Sequence, residues 1–338
     1  MFIRSKTIQA TSLILKVLLL KAILAVSSAQ AYVVMDSVVV GDIGNLDDNT
    51  GHGAVDYEYH IGAHEVTNAQ YAEFLNAVAS TDTFNLWYSG MQSNGIDRSG
   101  TSGSYTYSAT TGASNKPVAY VGFWSAARFA NWMTNGQLSG SQDDTTTESG
   151  MYDLNSELNP NSPSITRQID FSSGGSGVAI ASLDEWYKAA YYNGADGTYY
   201  NYPTQSDTAP NASAPNDTDS NSANFDNAVG SVTDVGSYSL AQSYYGAFDM
   251  AGNLWEWNEG IYGPTERGIR GGSTGNASHA LISSNDSKFE ANGDYVESYI
   301  GFRITSDESL MVVPEPATIS LVCGLSALGF VMWRRRRA

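Results

Sequence analysis

Three stretches of the chain repeat apolar residues with the period of a helix. The first is HEVTNAQYAEFLNAVA, residues 64–79. Its apolar residues recur every three or four positions and share one face: Tyr71, Phe74, Leu75 and Val78. Thr67 and Gln70 have the spacing of a capping box, in which each side chain bonds the other residue's backbone N–H. The pattern predicts a helix that begins after Thr67.

Two further helices are predicted from the same period. Residues 116–136 give a strand after Pro117 and then a helix, with three residues facing inward: Phe129, Trp132 and Met133. In SLDEWYKAAYYNG, Ser182 and Glu185 form a second capping box and Gly194 ends the helix. Its inward residues are Trp186, Ala189 and Ala190.

The remaining pattern is short strands separated by long polar loops. Apolar and β-branched runs predict strands at four places: 38–40, 57–61, 267–271 and 299–304. Small polar residues, chiefly Ser, Thr, Gly and Asp, are frequent in three segments. We predict that 89–114 is a polar loop or loose hairpin, that 137–177 is an insertion, and that 201–236 is a loop. There is no internal repeat. Short helices, short strands and long loops indicate a loop-rich α+β domain.

The first residues have the pattern of an export signal. Arg4 and Lys6 precede an apolar run over residues 13–26, and Ala29-Gln30-Ala31 is a small-residue cleavage site. Two lysines inside the run argue against a stable membrane span. We therefore expect residues 1–31 to be a signal peptide and the exported chain to begin near Tyr32.

The last residues have a different pattern. Pro314-Glu315-Pro316 is followed by an uncharged segment, residues 317–333, and by four arginines. The segment is at the lower length limit for a membrane-spanning helix, and the arginines should stay cytoplasmic. An ordinary C-terminal anchor fits this pattern. Residues 314–338 also resemble the PEP-CTERM sorting signal, which implies an exosortase as partner, transient anchoring in the inner membrane, and delivery to the cell envelope or extracellular matrix.

The segment between these ends, residues 32–313, is strongly acidic. It holds 9 of the 17 basic and 34 of the 35 acidic residues, a net charge near −25 (9 − 34). So negative a surface repels nucleic acid and anionic lipid. The one cysteine of the chain is Cys323, in the tail. The exported domain therefore has no disulfide, thiolate ligand or cysteine nucleophile.

Five segments in order carry a family resemblance: EVTNAQYAEFLNAV (65–78), ASLDEWYKAA (181–190), YGAFDMAGNLWEW (245–257), IRGGS (269–273) and GFRI (301–304). Together they resemble the formylglycine-generating enzyme family, also called the sulfatase-modifying factor family. The resemblance spans roughly residues 37–305. It implies a loop-rich α+β fold that is distantly similar to C-type lectins.

The stretch FDMAGNLWEWNEG places a carboxylate between two tryptophans just after a turn. By the resemblance it forms a calcium site whose ligands are Asp249, Gly252, Leu254 and Glu256. Calcium prefers six to eight hard oxygen ligands, which carboxylates and carbonyls supply. Two other interpretations are that Glu256 accepts structural hydrogen bonds or that it is a catalytic acid. A second calcium site of the family would fall near Asn224 and Phe225.

The oxidase chemistry of the family is where this chain departs from the pattern. Formylglycine generation resembles copper-dependent chemistry at two cysteines that follow the Gly-Gly-Ser segment. Asn276 and Leu281 stand at the corresponding positions. Copper(I) needs soft ligands, which amides and hydroxyls are not, so neither copper nor formylglycine generation is expected. Ser273 matches an active-site serine of the family.

We therefore favour ligand binding over catalysis. The expected ligand is a polysaccharide or an exported peptide, held in a pocket that includes Trp255, Arg270 and Ser273. Two alternatives stay open. One is an enzyme of different chemistry that uses four groups: Ser273, Arg270, His279 and Glu259. The other is a calcium-stabilised structural component of the matrix.

His60 and His64 are spaced i, i+4, and Glu65 follows them. Histidines and carboxylates at such spacing can bind a metal ion. The simpler interpretation, which we prefer, is a strand edge that leads into the first helix.

Overall fold

A computed structural model describes residues 32–156, 165–216, 218–291 and 296–310 of the 338-residue chain. The predicted signal peptide and sorting tail lie outside these ranges. The helices within them are α1 Asn68–Val78, α2 Gly90–Asn94, α3 Phe123–Thr134 and α4 Leu183–Tyr191. None of these helices has the length and apolar character needed to cross a membrane.

The strands are short and spread along the chain: β1 Ser37–Val40, β2 Tyr59–Gly62, β3 Ile96–Ser99, β4 Thr106–Ala109, β5 Val178–Ile180, β6 Tyr192–Asn193, β7 Thr198–Tyr199, β8 Asn211–Ala212, β9 Ser222–Ala223, β10 Trp255–Ile261, β11 Glu266–Arg270, β12 Ser287–Glu290, β13 Ile300–Phe302 and β14 Ile304–Ser306. Two 3-10 turns lie at Phe171–Ser173 and Ser278–Ala280. The predicted loop-rich α+β class is confirmed.

Two four-stranded sheets form the centre of the domain. One has the order β1-β2-β14-β5 and is antiparallel throughout, and the other has the order β12-β11-β10-β13. In the second sheet β10 pairs with β13 in parallel, with Glu256 opposite Gly301. Consecutive strands β13 and β14 thus belong to different sheets, and Arg303 is the one residue between them.

Both predicted capping boxes are present. The Thr67 side chain accepts from the backbone of Gln70, whose side chain accepts from Thr67 N–H. Ser182 and Glu185 do the same at the start of α4. These local bonds satisfy N–H groups that have no partner inside the helix, so each helix begins where the sequence predicts.

The main core lies where α1 and α3 pack on the sheets. Its centre is a cluster of aromatic rings whose neighbouring centroids are 5.2–6.3 Å apart: Tyr71, Phe74, Phe129, Trp132 and Phe302. Tilted and edge-to-face contacts at this spacing are favourable beyond the area they bury. The predicted inward face of α1 is confirmed. On α3, Phe129 and Trp132 are buried and Met133 is partly buried.

Two segments differ from the predictions. No strand follows Pro117, which makes a single isolated bridge with Thr67. The segment predicted as an insertion at 137–177 has little regular structure in its described part but packs tightly against the core. Met151, Tyr152 and Leu154 are buried, and the buried Glu148 carboxylate pairs with Arg128 at 2.8 Å. The composition of the segment does not indicate this packing, because the few apolar side chains that anchor it are outnumbered by polar residues.

The capping box of α4 gives the first testable prediction. Ser182→Ala removes the side-chain oxygen that accepts from Glu185 N–H at 3.0 Å. We expect the free energy of unfolding to fall by about 1 kcal/mol, the usual effect of losing an N-cap. Urea unfolding measures it. Ser141→Ala, on an exposed loop, is the matched control and should change stability by less than about 0.5 kcal/mol; equal effects would contradict the capping role.

Candidate functional site

The turn that precedes β10 has an unusual backbone. Asp249, Gly252 and Asn253 have φ angles of 58°, 83° and 62°, in the left-handed region. A Cβ on Gly252 would lie 2.4 Å from the carbonyl oxygen of Asn224. Glycine is therefore required there for its conformation and for the close approach of the two backbones.

Asn253 connects three segments through its side chain. Its amide nitrogen donates to Glu65 Oε1 at 3.0 Å, and its amide oxygen accepts from the Thr233 backbone at 3.0 Å and from Asn224 Nδ2 at 3.3 Å. The backbone N–H of Asn253 also donates to the carbonyl of Asn224 at 2.9 Å. The turn is therefore fixed to the start of α1 and to the segment after β9.

Glu256 forms a buried ion pair with Arg303. Its two carboxylate oxygens accept from Arg303 Nε at 2.6 Å and Arg303 Nη2 at 2.7 Å, and Trp186 Nε1 donates to one of them at 2.7 Å. Arg303 also donates to the carbonyls of Gly62 at 2.8 Å and Phe248 at 2.9 Å. Both side chains are almost completely buried. Bidentate, charge-assisted bonds of this kind are among the strongest in proteins.

The strand geometry explains why a carboxylate stands between two tryptophans. Side chains alternate between the two faces of a strand, so Trp257 points away from Glu256. Trp257 packs edge-on against Phe123 and donates to the carbonyl of Val121 at 2.8 Å. Both faces of β10 are therefore buried, and the face that carries Glu256 has a cationic partner.

The side chains of the predicted calcium ligands Glu256 and Asp249 already accept hydrogen bonds from other groups. Both oxygens of Glu256 already accept from Arg303 and Trp186, and the guanidinium would repel a cation at the same carboxylate. Asp249 accepts from the backbone N–H of Gly236 at 2.5 Å, and burial raises the pKa of Asp249 to about 6. Glu256 thus fits a buried ion pair better than a calcium ligand. The assignment of Asp249, Gly252, Leu254 and Glu256 to calcium stays a prediction, and it requires Glu256 to exchange partners.

Two weaker metal hypotheses can also be placed. At the second calcium position, Asn224 Oδ1 is buried and has no hydrogen-bond partner among the described residues. A side-chain carbonyl oxygen of this kind can coordinate calcium. His60 lies on β2, as the strand-edge interpretation predicts, and its Nδ1 is 3.4 Å from the Ser37 hydroxyl. Within the described ranges, no group of three or more His, Cys, Asp or Glu side chains is arranged to hold a metal ion.

The three residues of the predicted ligand pocket are buried. Trp255 is 7 %, Arg270 1 % and Ser273 4 % exposed. Arg270 donates to the carbonyl oxygens of Ser283 and Asn285. These side chains are therefore covered by other residues of the protein. Their role as a ligand pocket stays a prediction.

The Ser273 hydroxyl donates to Asn276 Oδ1 at 2.7 Å, and the same oxygen accepts from the Ser273 N–H at 2.9 Å. Glu259 belongs to another cluster, where it accepts from Tyr152 at 2.5 Å and from Arg167 at 3.0 Å. Three of the four groups considered for alternative catalysis, Ser273, Arg270 and Glu259, therefore bond to separate partners, and His279 lies exposed on the 3-10 turn Ser278–Ala280.

Two residues that organise the site were not singled out from the sequence, Asn253 and Arg303, and a third, Glu65, was noted only for its spacing from His60 and His64. Each stands inside a quoted family segment. A signal was available for Arg303, because a lone arginine in the apolar stretch Tyr-Ile-Gly-Phe-Arg-Ile needs a buried anionic partner. Nothing local indicates that the partner is Glu256.

Comparison with protein families finds one match. Residues 38–308 match the model of the sulfatase-modifying factor enzyme 1-like domain. Comparison with curated proteins finds no match.

Several solved structures are similar. Treponema denticola variable protein 1 matches with a TM-score of 0.50 and 16 % identity, covering 82 % of this chain and 98 % of that one. CarF matches with a TM-score of 0.47 and 22 % identity, covering 80 % and 98 %. PvdO from Pseudomonas aeruginosa matches with a TM-score of 0.42 and 15 % identity, covering 81 % and 93 %. At these identities the likeness concerns the fold alone.

The ion pair gives the second prediction. Glu256→Gln leaves the buried Arg303 without its anion, and we expect the free energy of unfolding to fall by about 3–5 kcal/mol. Denaturant unfolding with an unchanged m-value measures this loss. The control is Glu266→Gln on neighbouring β11, whose pair with Lys288 is partly exposed and should contribute less than about 1 kcal/mol. Similar losses in the two variants would contradict the role of the buried pair.

Glu65 gives a prediction on pH. Burial, followed by the charges of Asp249 and Glu256, raises the pKa of Glu65 well above its usual value of 4.5. The folded state then keeps a proton that the unfolded chain has lost. The stability from that proton is complete below pH 4.5 and is lost as the pH rises through the folded pKa.

Glu65→Gln should therefore gain stability relative to the natural chain as the pH rises, by up to about 1.4 kcal/mol per pH unit within that window. The melting temperatures of both proteins from pH 4 to 8 test this. Parallel curves would show that Glu65 titrates normally.

Proposed function

Because the chain belongs to the sulfatase-modifying factor enzyme 1-like family across residues 38–308, we propose that it is a ligand-binding member that does not generate formylglycine. The supporting observation is the bond between Ser273 and Asn276. Asn276 and Leu281 stand where the family resemblance places the two cysteines, and the chain has no cysteine besides Cys323. An amide and an aliphatic side chain cannot bind copper(I).

The same bond argues against a serine nucleophile. A hydroxyl becomes nucleophilic when a neighbouring base takes its proton. The amide oxygen of Asn276 accepts the hydrogen bond of Ser273 but is far too weakly basic to take the proton. The serine and the amide therefore form a closed turn, with Asn276 Oδ1 shared between the hydroxyl and the backbone N–H of Ser273.

The proposal places the domain outside the cytoplasm. Residues 1–31 direct export, and residues 314–338 direct an exosortase-type enzyme to a chain anchored transiently in the inner membrane. The exported domain then acts at the cell envelope or in the extracellular matrix. Its ligand is a polysaccharide or an exported peptide, and its net charge near −25 disfavours polyanions such as nucleic acid.

A second candidate is a structural matrix component without a small ligand. The observation that favours it is the burial of Trp255, Arg270 and Ser273, which leaves little of these three side chains for a ligand to contact. In this case the acidic surface would link neighbouring molecules through divalent cations.

Copper retention tests the loss of oxidase chemistry. The full-length chain in mild detergent is incubated with copper(I) and desalted. We expect no copper to be retained, and about one copper per chain in the variant Asn276→Cys/Leu281→Cys, because two thiolates restore soft ligands. Aldehyde formation on a cysteine-containing peptide should be absent in the natural chain. Copper retention or aldehyde formation by the natural chain would overturn this part of the proposal.

A binding screen separates the two candidates. The full-length chain is tested against polysaccharides and peptides, with calcium and again with a chelator. We expect retention of one defined class of ligand. Retention that disappears with the chelator, together with a lower melting temperature, would show that calcium stabilises the domain and is needed for binding. No retention in either condition would favour the structural component.

A further inference from the structure

A polar cleft lies beside the start of α1, separate from the region around Ser273. It has a volume of about 380 Å³, and Glu65, His64 and Asp36 line it together with Val34, Met35 and Val235. Small-molecule sites usually measure about 300–1,000 Å³. The cleft is thus large enough for a side chain or a small organic molecule and much larger than a single metal ion needs.

Glu65 is incompletely bonded in this cleft. The residue is 1 % exposed, and its Oε1 accepts from Asn253. Its Oε2 is buried and has no hydrogen-bond partner within the described part of the chain. Burying a polar atom without a hydrogen-bond partner is unfavourable, and more so if the atom is charged. A hydrogen-bond donor that enters the cleft would remove this cost.

The other polar side chains of the cleft also favour a cation. The His64 ring stacks on Phe248 with centroids 5.3 Å apart, and burial, followed by the charge of Arg303, lowers the pKa of His64. At neutral pH the ring is therefore uncharged and offers a lone pair. Asp36 adds an exposed carboxylate. The cleft thus has two carboxyl groups and a neutral imidazole, with no cationic side chain in its lining.

The apolar part of the lining suits an aliphatic stem. Met35 is buried and Val34 is 40 % exposed. Val235 also lines the cleft, and its backbone N–H donates to the carbonyl of Asn115. A long side chain with a charged end buries its methylene groups against such surfaces and keeps its end in a polar environment. Lysine and arginine side chains and linear polyamines have this construction.

We propose that this cleft binds an organic cation, a primary ammonium or guanidinium group on an aliphatic stem. Glu65 and Asp36 accept its hydrogen bonds, with Glu65 releasing to solvent the proton that it keeps in the empty cleft. Val34, Met35 and Val235 pack against the stem. The cation comes from a lysine or arginine side chain of a peptide or from a free polyamine. This goes beyond the proposed function, because the cleft shares no residue with the turn at Ser273 and Asn276.

The test uses the full-length chain in mild detergent and isothermal titration calorimetry. The probes are 1,5-diaminopentane and the blocked tripeptides Gly-Lys-Gly, Gly-Arg-Gly and Gly-Gln-Gly. We expect the cationic probes to bind and Gly-Gln-Gly to bind at least tenfold more weakly. Tighter binding of the peptides than of the diamine would identify a peptide side chain as the source, and the reverse order would identify a polyamine.

Four variants test whether the cationic probes bind in this cleft. Glu65→Gln should lower the affinity for the cationic probes at least tenfold, and Asp36→Asn should lower it about threefold. Ala69→Phe, which fills the cleft and keeps its charges, should also abolish binding. Asp144→Asn removes one exposed carboxylate elsewhere and should leave affinity within twofold, which controls for general attraction to an acidic surface.

Melting temperatures of all variants show whether each is folded. Absence of binding by the natural chain, equal binding of Gly-Gln-Gly, or unchanged binding in folded Glu65→Gln and Ala69→Phe would each overturn the proposal. Copper retention does not involve this cleft, and a peptide found in the binding screen that still binds Ala69→Phe binds elsewhere, so failure of the proposed function is distinguishable from failure of the cation site.

Discussion

The ion pair between Glu256 and Arg303 determines how the two main sheets meet. Arg303 is the residue at which the chain leaves β13 in one sheet and enters β14 in the other. Its side chain bonds the carboxylate of Glu256 on β10 and the carbonyl of Gly62 on β2. One guanidinium therefore contacts both sheets at their junction. Removing two charges from water is expensive, and the pair is tolerated because its geometry is bidentate and its remaining donors have partners.

The same pair positions elements outside the sheets. Trp186 on α4 donates to Glu256, and Arg303 donates to the carbonyl of Phe248 before the Gly252–Asn253 turn. A second buried network at Asn253 then holds the turn against α1 through Glu65. Scaffold residues of the family segments thus support one another independently of the positions of Asn276 and Leu281. This explains how the fold can persist in a chain without the family's cysteines.

Most of the helical structure could be predicted from the sequence because its signals are local. The capping boxes at Thr67 and Ser182 and the apolar face of α1 involve residues at most seven positions apart. The class of fold followed from these elements and the short strands. In contrast, Glu256 and Arg303 are 47 residues apart, and Asn253 and Glu65 are 188 apart. The periodicity of apolar residues gives no information on such distant pairs. Residues such as Glu256 could therefore be identified as candidates, but their partners could not.

The candidate site shows the same limit. The calcium ligands and the pocket residues came from a family resemblance, whereas the buried state of Trp255, Arg270 and Ser273 depends on packing between distant segments. The cleft beside α1 was also hidden, although His64 and Glu65 were noted for their spacing. Nothing in the sequence indicates that the distant Val235 and the amide of Asn253 lie beside this strand edge. Val235 helps to line the cleft, and the Asn253 amide bonds only one oxygen of the Glu65 carboxyl group.

The placement of β13 and β14 has a consequence for the order of folding. β14 lies between β2 and β5, and β13 completes the other sheet beside β10, so both sheets need residues from the C-terminal end of the matched domain. Thr305 pairs with Ile61 across most of the chain, and contacts of such long sequence separation form slowly. A growing chain cannot complete either sheet until residues 300–306 have been made. The domain therefore cannot complete its fold before these residues are available, and Phe302 of β13 packs on Tyr71 of α1 and Phe129 of α3 only then.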